Sequence, residues 1–516
     1  MKKSTFIVSF AGISLMAALY AASLTFLQPE QVKAPPPPIV AEISETTHYS
    51  FGDQTLKAEV VFDRLLWSPP HATEHQGSNP SFWTSVDVEA IANPSPVATI
   101  STVLVIDRSG SMTGEKMERA KQAAFRLIKQ LGSNDQLAIV SYGTTGRVDF
   151  PVTNMTPEGQ KRALKAMETM DAAGGTNIEH ALQLTLKLAQ SGHPASDRAQ
   201  VSPHMAGPPV GRVLFLSDGR PTEGNRNWQI LRNLGTQLRS NGYRVSTIGI
   251  GDDYNEDLLQ KIASAADGRY HHIKNAVSLG KIFHDEMRHA RRTVARAVSL
   301  RLPRQALANG QVYRLKNVLG HTWTPCEENI YANVSLGDLA SSEKRVILAE
   351  YHLADQETQC PSLAQCQRLN AFSLPELKYT HPAEGQRQLR HPHKSVSIPQ
   401  TTSQRDAERS VNPTIALQVA SFNASESVKR SMDLLKNGEK TPAIRLLKNQ
   451  TDKINRLLTT DSNLTPQQKD VAEGRALINR IIDDLNQSTT REHTPPPHYI
   501  KAQKARAYQR QHRSSN

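Results

Sequence analysis

The chain has 516 residues, 38% of them hydrophobic and 21% charged, with a formal net charge of +12 and three cysteines. The length exceeds one typical domain and suggests roughly two to four units. Cys326, Cys360 and Cys366 show no C-x-x-C spacing, which argues against structural zinc. In an exported chain Cys360 and Cys366 could close a short loop, and the sequence leaves their pairing open.

Lys2 and Lys3 precede an uncharged run over 5–27, long enough to cross a bilayer as a helix. Residues 1–28 therefore read as a signal anchor or signal peptide, with Ala21, Ala22 and Ser23 as cleavage positions in the second case. Either way, the basic flank places the rest of the chain outside the cytoplasmic membrane, in the cell envelope, or secreted if the leader is cut. Pro35 to Pro38 make 29–46 a stiff spacer.

Over 47–97 two alternating runs, Leu56-Lys57-Ala58-Glu59-Val60 and Trp83-Thr84-Ser85-Val86-Asp87-Val88, predict β structure. From 98 to 288 strands and helices alternate, the signature of a doubly wound, mostly parallel α/β sheet. The branched runs 103–106, 137–140, 213–216 and 245–250 read as buried strands. Helical stripes lie between them: Met117, Ala120, Ala124, Leu127 and Leu131; Ile178, Ala181, Leu182, Thr185 and Leu188; Trp228, Leu231, Leu234 and Leu238. The proline-broken stretch 191–211 reads as a surface insertion.

Alternation returns over 289–374, and these strands pair with the early ones in a β-sandwich interrupted by the α/β unit. Residues 375–420 read as a polar linker and 421–488 as a small domain of three helices, two of them opened by Thr441-Pro442 and Thr465-Pro466. In 489–516, Arg491, Lys501, Lys504, Arg506, Arg510 and Arg513 face only Glu492, so this part reads as a basic disordered tail. Part of the positive excess sits there, and no nucleic-acid partner is expected.

Asp107-Arg108-Ser109-Gly110-Ser111 follows the first buried strand. Gly174-Gly175-Thr176-Asn177 precedes the helix at Ile178, and Asp218-Gly219 follows a later strand. Strand ends of this kind open into the crevice where doubly wound sheets bind ligands. Carboxylates and hydroxyls are hard donors that suit Mg²⁺, Mn²⁺ or Ca²⁺. Taken singly, Asp107 or Ser109 could cap a helix and the Gly and Asp-Gly pairs could be turns.

Together, the apolar strand with D-x-S-x-S, the Thr after paired glycines and the L-S-D-G run resemble the metal-ion-dependent adhesion site of the von Willebrand factor type A family. Gly249-Ile250-Gly251, Asn255-Glu256-Asp257-Leu258-Leu259 and Gly268-Arg269-Tyr270 resemble the end of that domain in bacterial envelope proteins, and Leu336-Gly337-Asp338-Leu339 resembles their flanking sandwich. The resemblance implies metal ligands at Asp107, Ser109, Ser111, Thr176 and Asp218, and an octahedral cation with one position left for an acidic side chain of a protein partner.

No catalytic constellation emerges. His284-Asp285-Glu286-Met287-Arg288-His289 misses the H-E-x-x-H spacing, and neither a phosphate-cradling G-x-x-x-x-G-K-[ST] loop nor a G-x-S-x-G elbow occurs. His271-His272 and His391-Pro392-His393 read as structural or incidental. The expected function is a divalent-cation-dependent protein-binding module, not an enzyme, tied to the membrane by its N-terminal anchor. An accessory subunit of a transport or channel complex, similar to calcium-activated chloride channel proteins, is the alternative.

Overall fold

The alternation before the α/β region forms strands β1 His48–Gly52, β2 Leu56–Phe62 and β3 Ser81–Ala90, paired antiparallel. The computed structural model describes residues 48–63, 81–91, 98–191, 209–308, 311–321, 323–326, 330–353, 372–381, 385–391, 395–396, 412–458, 464–487 and 495–511. The apolar run, the proline spacer, Cys360, Cys366 and His393 lie outside them, and Cys326 is a free thiol.

The four branched runs become β4 Ile100–Asp107, β5 Gln136–Tyr142, β7 Val210–Ser217 and β8 Tyr243–Ile250, buried nearly throughout because helices cover both faces. With β6 Gly146–Asn154 and β9 Tyr270–Ile273 they form, among the described residues, a six-stranded sheet in the order β6-β5-β4-β7-β8-β9, parallel except for β6. One face is covered by helices α1 Glu115–Gln130, α2 Pro157–Glu168 and α6 Leu279–Arg291. The other is covered by α3 Ile178–Ser191, α4 Trp228–Ser240 and α5 Glu256–Ala265. The predicted stripes are the buried ones, except that Leu188 is half-buried and Trp228 faces outward with the Lys261 ammonium 4.3 Å from its ring centre.

The later strands are β10 Thr293–Pro303, β11 Gln305–Ala308, β12 Gln311–Val318, β13 Trp323–Cys326, β14 Tyr331–Ala340, β15 Lys344–Leu353, β16 Phe372–Ser373, β17 Glu376–His381, β18 Gly385–Arg390 and β19 Ser395–Val396. Among the described residues, one sheet runs β1-β2-β3-β15-β12-β11 and the second β13-β14-β10-β17-β18. The β3–β15 pairing, with Val86 opposite Ile347, joins the segments on either side of the α/β domain into one sandwich. Its core stacks Phe82 on Tyr351 and sets Phe372 edge-on to both.

Two readings of the polar regions are corrected. The stretch 375–420, read as a linker, contains β17 and β18. Only alternate residues such as Leu377 and Tyr379 turn inward, so a two-residue apolar face is masked by polar neighbours. Helix α7 Pro413–Lys436 also begins inside that stretch, capped by Asn412, whose side chain accepts from Thr414 N. It packs with α8 Lys440–Leu457 and α9 Pro466–Gln487.

The tail read as disordered holds a fourth helix, α10 Pro497–Gln511. Its Ile500 and Ala507 join the helical core, while Ala505 and Tyr508 join the core of the α/β domain. Lys501 donates to the Tyr254 carbonyl, and Lys504 pairs with Asp257 at 2.8 Å and Asp433 at 2.5 Å. Acidic groups on other elements thus compensate lysines that, within their own segment, read as a solvated run.

Where the α/β domain meets the sandwich, His289 Nε2 donates to Glu343 at 2.7 Å, and Glu343 also accepts from Arg345. Burial lowers the His289 imidazole to about 4, with Glu343 opposing the shift. The unfolded chain then takes up a proton near pH 6.5 that the folded chain refuses until about pH 4. Stability is therefore full above pH 6.5 and falls as the pH drops through that window, by about 3 kcal/mol from this group. A series of urea melts from pH 7.5 to 4 is expected to show a decline that His289→Gln reduces; equal slopes in the two proteins would refute it.

Candidate metal site

From β4 the chain passes first to β5 on one side and later to β7 on the other, so the loops leaving β4 and β7 diverge and open a crevice at the carboxyl edge of the sheet. Asp107 ends β4 and Asp218 follows β7, and both are fully buried.

Asp107 is gripped at both oxygens: Oδ1 accepts from Ser109 N at 2.9 Å and Oδ2 from Ser217 Oγ at 3.2 Å. The chain then makes one short 3-10 turn, Gly110–Met112, which carries the two serines over the crevice. Ser111 Oγ donates to Asp218 Oδ1 at 2.8 Å, Ser109 Oγ lies 3.5 Å from the same oxygen, and the two hydroxyls are 3.1 Å apart. Neither Asp107 nor Ser109 acts as a helix cap; Gly114 precedes α1, and Ser109 makes no side-chain cap bond to the 3-10 turn.

Thr176 comes from a third loop. Gly110 N donates to Gly174 O at 3.0 Å and Ala173 N to Arg108 O at 2.6 Å, which ties this loop to the first. Gly174 has φ +83, and a Cβ there would meet Thr144 Oγ1 at 2.7 Å, so the turn needs glycine. Thr176 N donates to Thr222 Oγ1 at 2.8 Å, and Thr176 O accepts from Thr222 N at 3.0 Å. A Cβ on Gly219 would lie 3.4 Å from Thr176 Oγ1 and 3.7 Å from Ser111 Oγ, so the three loops enclose a small shared volume. The structure thus brings Asp107, Ser109, Ser111 and Asp218 into one hydrogen-bonded group, and Thr176 reaches it across Gly219.

Burial, reinforced by the nearby Asp218, pushes the Asp107 carboxyl up to about 6. Burial likewise raises the Tyr142 phenol well above its ordinary value; its hydroxyl donates to Leu216 O at 2.7 Å and braces the strand that delivers Asp218. Of the two buried carboxylates, Asp218 faces the Lys116 ammonium, which lies 2.6 Å from its Oδ2. Among the described residues no group of three or more His, Cys, Asp or Glu side chains is placed to hold a metal, so a cation at this edge would take hydroxyl ligands as well. An all-oxygen set of two carboxylates and three hydroxyls fits a hard dication.

Lys116 and Ser217 escaped the sequence reading. Lys116 carried a usable signal: it sits in the first turn of α1, where the helix dipole disfavours a cation, so it needs a counter-charge from elsewhere. Ser217 carried none, being one polar residue at the end of an apolar strand. The histidines set aside have partners: His271 binds Glu286 at 3.1 Å, His272 binds the Tyr254 hydroxyl at 2.6 Å, and Glu286 also accepts from Ser246.

The sequence model for the von Willebrand factor type A domain matches residues 102–285, the span of this sheet and its helices. The chain carries a von Willebrand factor type A domain. The solved von Willebrand factor type A protein from Catenulispora acidiphila superimposes with a TM-score of 0.57, covering 84% of this chain and 97% of that one at 16% identity, so the shared fold extends beyond the domain itself. The protein sll0103 of Synechocystis sp. is 28% identical over 293 residues, 56% of this chain and 64% of its own length. The protein YfbK of Escherichia coli is 25% identical over 340 residues, 64% of this chain and 56% of its own length. Mouse inter alpha-trypsin inhibitor heavy chain 4 is 28% identical over 195 residues, 37% of this chain and 20% of its own. The chain thus spans less than two thirds of each of these three relatives. Von Willebrand factor type A domains generally mediate protein–protein interaction, and generally bind a divalent cation at their adhesion site.

Proposed function

We propose that the chain is a divalent-cation-dependent protein-binding module whose cation is held by Asp107, Ser109, Ser111, Thr176 and Asp218 and whose partner offers an acidic side chain. The observation that carries this reading is the convergence of two buried carboxylates and two serine hydroxyls at the open edge of the sheet. Two carboxylates roughly balance a dication, and neutral hydroxyls leave it electrophilic enough to accept a carboxylate from a partner. Ser111 is exposed, so the group opens to the surface. Arg108 and Arg220, in the two loops that supply the aspartates, add positive charge that favours an acidic approach.

Mg²⁺, Mn²⁺ and Ca²⁺ all suit this donor set. The apolar run at 5–27 supports display outside the cytoplasmic membrane, with that run as anchor and the proline stretch as spacer. Among the described residues no helix is long and apolar enough to cross a membrane. Affinity capture from membrane extracts with the 47–516 segment as bait tests the reading: partners retained in Mg²⁺ are expected to elute with EDTA, and retention unchanged by EDTA would overturn it.

A further inference from the structure

A second concavity lies on the flank of the molecule, built by different elements. A cavity of about 360 Å³ opens where α4, the α5–β9 connection, the sandwich and α10 meet. Five guanidinium groups line it: Arg232 and Arg239 from α4, Arg244 from β8, Arg269 from the residue before β9, and Arg345 from β15. Arg232 and Arg239 are seven residues apart, two turns along one helix face, so both address the same space.

The opposing charge falls one short: besides Asp267 and Glu343, Asp338 lies within electrostatic reach of Arg244 and Glu286 within reach of Arg269, four carboxylates against five guanidinium groups. Asp267 is the carboxylate that lines the cavity, and its oxygens are engaged by Arg239 at 3.5 Å and Ser335 Oγ at 2.7 Å. Glu343 lies alongside, bound by Arg345 at 2.7 Å and approached by Arg269 at 3.9 Å. Arg244 spends its donors on the carbonyls of Asp267 and Asp338. Arg232 has no carboxylate within ion-pair distance among the described residues. The floor is rigidly built: Asp267 holds a left-handed backbone at φ 53, and a Cβ on the facing Gly337 would meet Asp267 Cβ at 2.8 Å.

Several like charges gathered in one partly enclosed space repel one another, and an anion that bridges them relieves that repulsion. Guanidinium forks match phosphate oxygens two at a time, better than they match halide or single carboxylates. The volume falls at the lower end of the range for small-ligand sites, roughly 300–1,000 Å³, and exceeds what one phosphate group fills. We propose that this cavity binds an anion carrying two or more linked phosphate groups, either a free phosphate chain or the same groups on an organic carrier.

Isothermal titration of the full chain with pyrophosphate and with ADP, in EDTA and at matched ionic strength, tests the proposal and separates the two sources. Both ligands are expected to bind below millimolar concentration; tighter ADP binding assigns the site to a carrier-linked phosphate, and equal or weaker ADP binding to a free chain. Arg232→Glu, an exposed position whose loss breaks no ion pair, is expected to weaken pyrophosphate binding at least tenfold with the ligand-free melting temperature unchanged. Asp107→Ala is expected to leave pyrophosphate binding as it is, since that residue belongs to the other site. Absence of binding by both ligands, indifference to Arg232→Glu, or loss on Asp107→Ala would each overturn the assignment.

Discussion

Replacing Asp107 by alanine is expected to abolish divalent-cation binding while leaving the von Willebrand factor type A domain folded. Loss of an outer-shell partner commonly lowers metal affinity 10- to 100-fold, and loss of a charged ligand should cost on the order of 100-fold or more. The fold should tolerate the change because Asp107 is a strained ion: burial drives its carboxyl up to about 6, so its charge at neutral pH opposes folding of the cation-free protein. Lys116→Met is expected to act in the opposite direction. The Lys116 ammonium rests 2.6 Å from Asp218 Oδ2 and must leave or share that oxygen when a cation arrives. Its removal should tighten cation binding roughly tenfold, close to the ~1 kcal/mol of a water-screened Coulombic contact, because the Lys116 side chain is itself a third exposed. Mg²⁺ titration by calorimetry, with circular-dichroism melts as the folding control, reads both. Wild-type affinity in Asp107→Ala, or weaker binding in Lys116→Met, would contradict this account of the site.

The largest effect on stability is expected at Arg212, at the seam between the α/β domain and the sandwich. Its guanidinium is buried, donates to Asp338 Oδ2 at 2.9 Å and to Gly211 O at 2.8 Å, and reaches Thr293 Oγ1 at 3.3 Å. Burial lowers Arg212 to about 10, Asp338 opposing, so the charge persists at neutral pH. Burial pushes the Asp338 carboxyl up, but Arg212 together with Arg244, Arg296 and the Ala297 amide outweighs it and holds the group below its ordinary value. Arg212→Ala strands a buried carboxylate, a loss of about 3–5 kcal/mol. The double variant Arg212→Met with Asp338→Leu removes both charges and should recover most of that loss, because a buried pair replaced by apolar groups of similar volume is often neutral. Urea melts of the three proteins decide it: a single-variant loss under about 1 kcal/mol, or no recovery in the double variant, would show that the pair does not hold the seam.

Much of the α/β domain was legible in the sequence because its signals are local. A strand covered by helices on both faces must be apolar along most of its length, and 103–106, 137–140 and 213–216 are wholly so; a helix with one buried face repeats every three to four residues, as Met117, Ala120, Ala124 and Leu127 do. The antiparallel edge strand β6 has one exposed side and mixed composition, and it left no comparable mark. The same holds for β17 and β18, whose few inward residues are diluted by polar ones. The tail failed for a different reason. Its lysines read as a solvated run because their partners, Asp257 and Asp433, lie far away along the chain.

The sequence by itself determined the chemistry at the ends of the strands: two aspartates, two serines and a threonine, each placed at a strand end or beside a helix by hydrophobic periodicity and glycine turns. Only the tertiary structure decided that these groups meet. Their separation along the chain reaches 111 positions from Asp107 to Asp218, and adjacency came from the strand order that sets β4 beside β7. The same folding placed the Lys116 ammonium on Asp218 and gathered five arginines from three elements and a connecting loop around one cavity, because electrostatic contacts depend on distance in space and local sequence patterns do not encode it.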